Sequence, residues 1–306
     1  MRWSICIPQF VDGGAFDPVA FRDFLARAQA AGFESAWTVE QVLGPAPVLG
    51  PIETMTYAAA CVDRMRLGCA VLVTSVHNPV HLAKSLSTLD QVSGGRLDVG
   101  IGTGGRSRMF SAFEVDPDDG LITRFTEGLR LMKALWTEPK VDFAGRFWRL
   151  EGAAMEPKPV QKPHPPVWFG GRAPAALRRA VRHGDGFIGG GSATTEDFAG
   201  QVAIVRRELD EQRRDPGGFG IAKRVYITVD DDAARARQQM AAGLVALYGD
   251  AGRRLESAAV AGTPADCVRG LRAVADAGAE MILVHPLTDL AVQLERLVAE
   301  VIPATS

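Results

Sequence analysis

An eight-stranded β/α barrel is the fold this sequence predicts, and three observations point to it. Short β-type runs alternate with amphipathic stretches from one end of the chain to the other, the pattern of a parallel sheet built from βα units. Eight such units can be counted in the 306 residues, and a barrel of this kind occupies about 250 residues as one domain. No Gly/Ser linker or low-complexity tract divides the chain, so residues 1–306 are read as a single (β/α)8 TIM barrel with loop insertions.

The first unit opens with a strand from Trp3 to Phe10. Asp17 as N-cap and Pro18 at the first helical position then start a helix whose inward face is Phe21, Phe24, Leu25 and Ala28, closed by Gly32. Ser35 to Val39 is the second strand, with a helix over Glu53 to Asp63. Leu67 to Val73 is the third, and Asn78-Pro79 caps a helix with Leu82, Leu86 and Leu89 inward. Arg96 to Gly102 is the fourth; Phe125, Leu129, Met132 and Trp136 lie at helical spacing after a long loop. VDFAGRFWRL (141 to 150) reads as a hairpin turning at Ala144-Gly145, and EPKPVQKPHPP as a stiff connector. Val167 to Gly170, Gly186 to Gly190, Arg224 to Val229 and Met281 to His285 complete the eight strands. Helices fall near 174–183, 195–213, 231–277 and 288–301, with Thr263-Pro264 and Gly278 as cap and stop for the last part of the third of these.

Composition narrows the partners. With 47% hydrophobic residues, 23% charged and a formal net charge of −2, the chain lacks the basic excess of a nucleic-acid binder. No stretch approaches the ~20 apolar residues of a membrane span, and the expected location is cytoplasmic. Cys6, Cys61, Cys69 and Cys267 show no C-x-x-C spacing, so neither a zinc ribbon nor a disulfide framework is indicated. His77 and His81 are separated by Pro79 and have no H-E-x-x-H context, so no metal site is expected.

The chemistry is carried by glycines. Gly100-Ile101-Gly102-Thr103-Gly104-Gly105 matches G-x-G-x-x-G literally, but a dinucleotide turn needs a helix directly after it to hold the pyrophosphate. Here RSRMFSAFEVDPDDG follows, and the strand is the fourth, not the first. The same glycines at the C-terminal end of a barrel strand suit a flat ring or a phosphate approaching bare backbone. Gly170-Gly171 ends the fifth strand and Gly189-Gly190-Gly191-Ser192 the sixth, so two adjacent turns offer N–H groups to an anion. Glu40-Gln41 ends the second strand on the same face, where a carboxylate can act as a general base.

Six stretches together resemble the bacterial luciferase-like family, in its F420-dependent oxidoreductase branch. They are AQAAGFESAWTVEQ (28–41), NPVHLAKSLSTLDQVSGGRLDVGIGTG (78–104), GLRLMKALWTEPKVDFAGRFWRL (128–150), PKPVQKPHPPVWFGG (157–171), HGDGFIGGG (183–191) and GTPADCVRGLRAVADAGAEMILV (262–284). The resemblance implies a barrel holding coenzyme F420, an 8-hydroxy-5-deazaflavin, or alternatively FMN, at the strand C-termini. It implies a non-prolyl cis peptide at Ala70-Val71, under the central ring. Gly102, Thr103 and Gly104 match the turn beside the ring; Gly170, Gly171 and Arg172, with Gly190, Gly191 and Ser192, match the segments around the phosphate. It also implies a small-molecule substrate and a homodimer.

Two departures bear on the chemistry. Many members carry a histidine where this chain has Gln41, which cannot shuttle a proton at neutral pH. Sugar-phosphate-oxidising relatives carry a glutamate where this chain has Gly105 and a lysine near Ala193, so glucose 6-phosphate is not the expected substrate. The expected function is hydride transfer between the deazaflavin C5 and an organic substrate, with Glu40 polarising or protonating. Alternatives are an FMN-dependent monooxygenase and a catalytically silent flavin-binding barrel. The pocket is expected to be completed by loops around 43–55, 106–120 and 230–262.

Overall fold

The structure, a computed structural model, describes residues 1–11, 15–44, 46–105 and 108–305. Its elements run β1 (Arg2–Cys6), α1 (Pro18–Ala30), β2 (Ser35–Thr38), α2 (Pro51–Cys61), β3 (Arg66–Cys69), β4 (Leu72–Val73), α3 (Pro79–Val92), β5 (Leu97–Gly102) and α4 (Leu121–Thr137). A hairpin of β6 (Val141–Ala144) and β7 (Arg149–Ala153) follows, then β8 (Val167–Gly170), α5 (Pro174–His183), β9 (Gly186–Gly189) and α6 (Thr195–Glu211). The chain ends with β10 (Gly220–Val229), α7 (Ala233–Tyr248), β11 (Val260–Gly262), α8 (Pro264–Asp276), β12 (Met281–Pro286), α9 (Leu290–Arg296), a π-helical turn over Leu297–Val301 and α10 (Ile302–Thr305).

β1, β2, β3, β5, β8, β9, β10 and β12 pair in parallel in that order, and β12 returns to β1. The ring is closed, so the (β/α)8 barrel predicted from strand alternation is the observed fold. Alternation along each strand divides the core into two layers. Ile5, Leu67, Val99, Phe169, Val225 and Val284 face the helices, whereas Cys6, Trp37, Trp168, Ile188, Ala222 and Leu283 fill the barrel. Trp37 and Trp168 meet edge to face at 6.0 Å. Their bulk is matched by glycine on neighbouring strands, since a Cβ on Gly68 would lie 2.5 Å from the Trp37 ring.

Local capping works as expected: Asp17, Asn78 and Thr263 each cap a helix with Pro at its start. Four expectations are corrected. The first strand stops at Cys6, ahead of Pro8. The third is broken into β3 and β4 by the turn at Ala70-Val71. The stretch 231–277 is not all helix: Gly249, at φ +61°, ends α7, a 3₁₀ segment spans Gly249–Ala258, and β11 adds a further parallel strand against Ile227–Val229 of β10. β10 itself begins at Gly220, four residues earlier than the Val/Tyr/Ile run suggests.

Among the described residues no α-helix follows the fourth-strand glycines before α4: Arg108–Phe113 is 3₁₀ and α4 starts at Leu121. Residues 106 and 107 of the expected pocket loop, and Pro45 of another, lie outside the described residues. Among the described residues no helix is long and apolar enough to cross a membrane.

Candidate active site at the barrel mouth

The C-terminal ends of β3, β5, β8, β9 and β10 surround a cavity of about 260 Å³. Its walls are Ala70, Val71, Gly102, Thr103, Gly104, Gly170, Gly171, Ile188, Gly189, Gly190 and Arg224. The Ala70-Val71 peptide is cis. Ala70 N–H still donates to the Thr38 carbonyl at 2.8 Å, and the chain is back in register at Leu72, opposite Ile101. Val71 is left projecting against two bare backbones: a Cβ on Gly102 or Gly170 would come within 2.7 or 2.9 Å of its methyl groups. The floor of the cavity is thus one branched side chain set among glycines. Gly100 has another reason to be glycine, because a Cβ there would run into the Cys69 carbonyl. The first glycine of the apparent dinucleotide fingerprint therefore serves strand packing.

The cleft continues in two directions. A cavity of about 540 Å³ shares Gly171 and Gly190 and runs past Arg172, Ser192, Ala193 and Asp197 to Gly200, Gln201 and Ile204 of α6. A capping box between Thr194 and Asp197 fixes the start of that helix. Gln201, buried on the helix, has Oε1 without a hydrogen-bond partner. On the other side a cavity of about 140 Å³ shares Gly104 and is lined by Glu40, Gln41, Val42, Val73, Val76, Gly105, Phe110 and Phe113.

Two polar groups order the cleft. Glu40 is turned inward, with a side chain only 2% exposed: Oε2 accepts the Val73 N–H at 2.6 Å and Oε1 lies 2.8 Å from Nε2 of His77. Both carboxylate oxygens are engaged, which ties the end of β2 to the segment after the cis bond. Arg224, on the inner face of β10, donates to the Ala70 carbonyl at 3.3 Å and to the Tyr226 hydroxyl at 2.9 Å, and its Nε has no partner. Burial opposes its charge, but the facing Tyr226 and Tyr248 oxygens outweigh this and hold the guanidinium firmly charged. Burial pushes the Cys6 thiol up to about 12 and Cys69 well above its usual range, so neither supplies a thiolate here.

Ala70, Val71, Gly102, Thr103, Gly104, Gly170, Gly171 and Gly190, all expected from sequence, converge on the central cavity; Arg172 and Ser192 line the longer one, Glu40 and Gln41 the smaller. Gly191 does not line any of the three. It packs beneath Tyr226, whose ring would lie 2.5 Å from a Cβ there. Sequence reading missed Arg224: an arginine within a barrel strand becomes a flag only once its inward facing is known, because only then is it a buried charge. It also missed the pairing of His77 with Glu40. His285, read as closing the eighth strand, is buried against Tyr226, with ring centroids 5.3 Å apart.

The family of luciferase-like monooxygenases matches residues 1–254. This chain belongs to that family. Among luciferase-like relatives, an F420-dependent glucose-6-phosphate dehydrogenase of Kineococcus radiotolerans is 28% identical over 230 residues, 72% of this chain and 67% of that protein. An FMNH(2)-dependent dimethylsulfone monooxygenase of Pseudomonas putida is 28% identical over 189 residues, 60% of this chain and 49% of that one. Monooxygenase RslO1 from Streptomyces bottropensis has the same fold over the full length of both chains, with a TM-score of 0.85 and 25% identity. An F420-dependent secondary alcohol dehydrogenase solved with an F420-acetone adduct gives 0.86 over 100% of this chain and 99% of that one; at 19% identity it bears on the fold alone. Luciferase-like relatives of this chain thus include both F420-dependent oxidoreductases and FMN-using monooxygenases.

Proposed function

We propose that this chain is an F420-dependent oxidoreductase that passes a hydride between the deazaflavin C5 and a small organic substrate. The length of the cleft supports the reading most. Its centre offers a flat ring bare backbone around Val71, and the Gly190–Ser192 turn with Arg172 suits a phosphate. The cavity then runs on along α6 from Asp197 to Ile204, about 10 Å at the rise of an α-helix. FMN ends at its phosphate, whereas F420 carries a further anionic chain, and the extra length suits the latter.

Bound there, a deazaflavin supplies hydride acceptance or donation at C5. The protein supplies position and charge. Val71, Gly102, Thr103, Gly104 and Gly170 seat the ring; Gly171, Arg172, Gly190 and Ser192 hold the phosphate. Arg224 keeps a fixed positive charge on the cleft wall, where it stabilises negative charge developing on ring or substrate. The substrate lies in the smaller cavity, against Gln41, Val42 and the two phenylalanines. Gln41 can orient a substrate oxygen or N–H but does not ionise near neutral pH, so proton transfer falls to the Glu40–His77 pair. A homodimer in the cytoplasm is part of the same reading, by family resemblance; light scattering of the purified protein tests the assembly.

The second reading, an FMN-dependent monooxygenase, is supported by the full-length likeness to RslO1. Titration of the purified protein with oxidised and reduced F420 and FMN, followed by absorbance and fluorescence, separates the two. Micromolar F420 binding without FMN binding supports the first, and the reverse supports the second. Binding without turnover over a broad substrate panel would leave a silent flavin-binding barrel.

A further inference from the structure

We propose that Lys223 is a buried cation that anchors the anion-holding turn of the cleft and makes its grip on a phosphate dependent on pH. The inference rests on the reading of the cleft as the seat of a phosphate-bearing cofactor.

Lys223 is 1% exposed, on the outward face of β10 between sheet and α6. Its Nζ donates to the carbonyl oxygens of Gly190, at 2.7 Å, and Arg224, at 2.9 Å, and lies 6.0 Å from the centre of the Phe198 ring. Gly190 is where the central cavity meets the longer one. The ammonium therefore sits directly behind the peptide whose other side forms the cleft wall. In a trans peptide the C=O and N–H point opposite ways, so holding the Gly190 carbonyl turns the Gly191 N–H away from Lys223. On the wall of the same cavity Gln201, 7% exposed, has an Oε1 without a hydrogen-bond partner.

The charge on this lysine is labile. Burial, and then Arg224 beside it, push its ammonium down to about 7, with Asp197 of α6 acting the other way. β9, the strand paired with it here, reads Gly-Phe-Ile-Gly and has no titratable side chain. On β12, His285 is turned into the barrel against Tyr226. A neutral amine keeps two N–H groups, enough for both carbonyls, so deprotonation removes charge without removing the anchor. An anion in the turn favours the charged form; binding therefore takes up a proton, and affinity falls as pH rises through the neutral range.

F420 is the better probe, because its phosphate is a diester with no titration near neutrality, whereas the FMN monoester titrates at about pH 6. Dissociation constants are measured by fluorescence from pH 6 to 9 for F420 and for the phosphate-free deazaflavin core, on the wild type and on Lys223→Met. The expected result in the wild type is a loss of F420 affinity across that range about tenfold greater than any change for the phosphate-free core, which carries the same ring hydroxyl. Lys223→Met should hold F420 at the weak, high-pH level throughout. Calorimetry in two buffers of different ionisation enthalpy should show proton uptake with F420 near pH 7.5. F420 bound with pH-independent affinity by the wild type, or an unchanged slope in Lys223→Met, overturns the proposal while leaving the cofactor reading intact. If the variant does not fold, the wild-type curves decide alone. If the protein takes FMN instead, the F420 reading fails and Lys223 is judged from FMN against riboflavin above pH 7. Binding of neither cofactor overturns both.

Discussion

Arg224 reaches from β10 to within 3.3 Å of the carbonyl oxygen of Ala70, the first residue of the cis peptide. One side chain thus ties the far wall of the cleft to the segment that shapes its floor, while presenting a fixed charge to whatever lies between them.

Replacing Arg224 with Met should remove that charge without unfolding the barrel, because the Tyr226–Tyr248 hydroxyl pair remains. Losing a charge-assisted hydrogen bond of about 1.5–3 kcal/mol corresponds to a fall in kcat/KM of roughly 10- to 150-fold. Arg224→Lys, which keeps charge but not the fork, should fall between the two. Steady-state kinetics beside circular dichroism checks this; unchanged kinetics in both variants would remove Arg224 from the site.

Glu40→Ala leaves the Val73 N–H and His77 without their buried acceptor. The expected cost is about 1–3 kcal/mol of stability, read by urea unfolding. His77 is about a quarter exposed on its side chain, so His77→Ala should cost less than Glu40→Ala in stability and act on the pH profile of kcat. A pH profile identical to wild type would take His77 out of proton transfer.

Two glycines should respond in opposite ways. A Cβ on Gly190 meets nothing nearer than the Ser192 hydroxyl at 3.6 Å, so Gly190→Ala should fold normally while weakening cofactor binding about tenfold or more. Gly100→Ala drives a methyl into the Cys69 carbonyl and should lose about 1–3 kcal/mol or more by overpacking. Thermal melts and cofactor titration on both proteins decide; a stable Gly100→Ala would contradict the close approach of β3 and β5.

Lys223 also sets a stability dependence. Its ammonium is lowered to about 7 in the folded protein from 10.5, so above pH 7 the unfolded chain holds a proton that the native state has released. Unfolding free energy therefore rises with pH, by up to about 1.4 kcal/mol per unit. Half-buried His164 and His183 and buried His285, lowered below 6.5, act in the same sense at lower pH. The buried thiols act oppositely at higher pH. Between pH 7 and 8.5 the slope belongs mainly to Lys223, and urea unfolding of wild type against Lys223→Met should show it vanish.

The barrel was legible because its signals are local. Asp17-Pro18, Asn78-Pro79 and Thr263-Pro264 write helix starts within a few residues, and each strand is a short apolar run. β11 was not legible: Val260-Ala261-Gly262 is too short to show a period, and only its partner Ile227–Val229 makes it a strand. The glycine rims of the cleft could be read, since bare backbone at a strand's end has few other uses. Arg224 could not, because whether a strand residue faces the barrel or the helices depends on register, and the visible run began four residues late.

By itself the sequence determined the alternation of strands and helices, their caps, and the family. Tertiary structure decided which side chains meet. Closing the ring brought Arg224 to Ala70, 154 residues apart, set His77 on Glu40 across 37 residues, and put Lys223 behind Gly190. Strand period and helix caps are properties of neighbouring residues along the chain, whereas the direction of a side chain into a cleft depends on the stagger of eight strands at once.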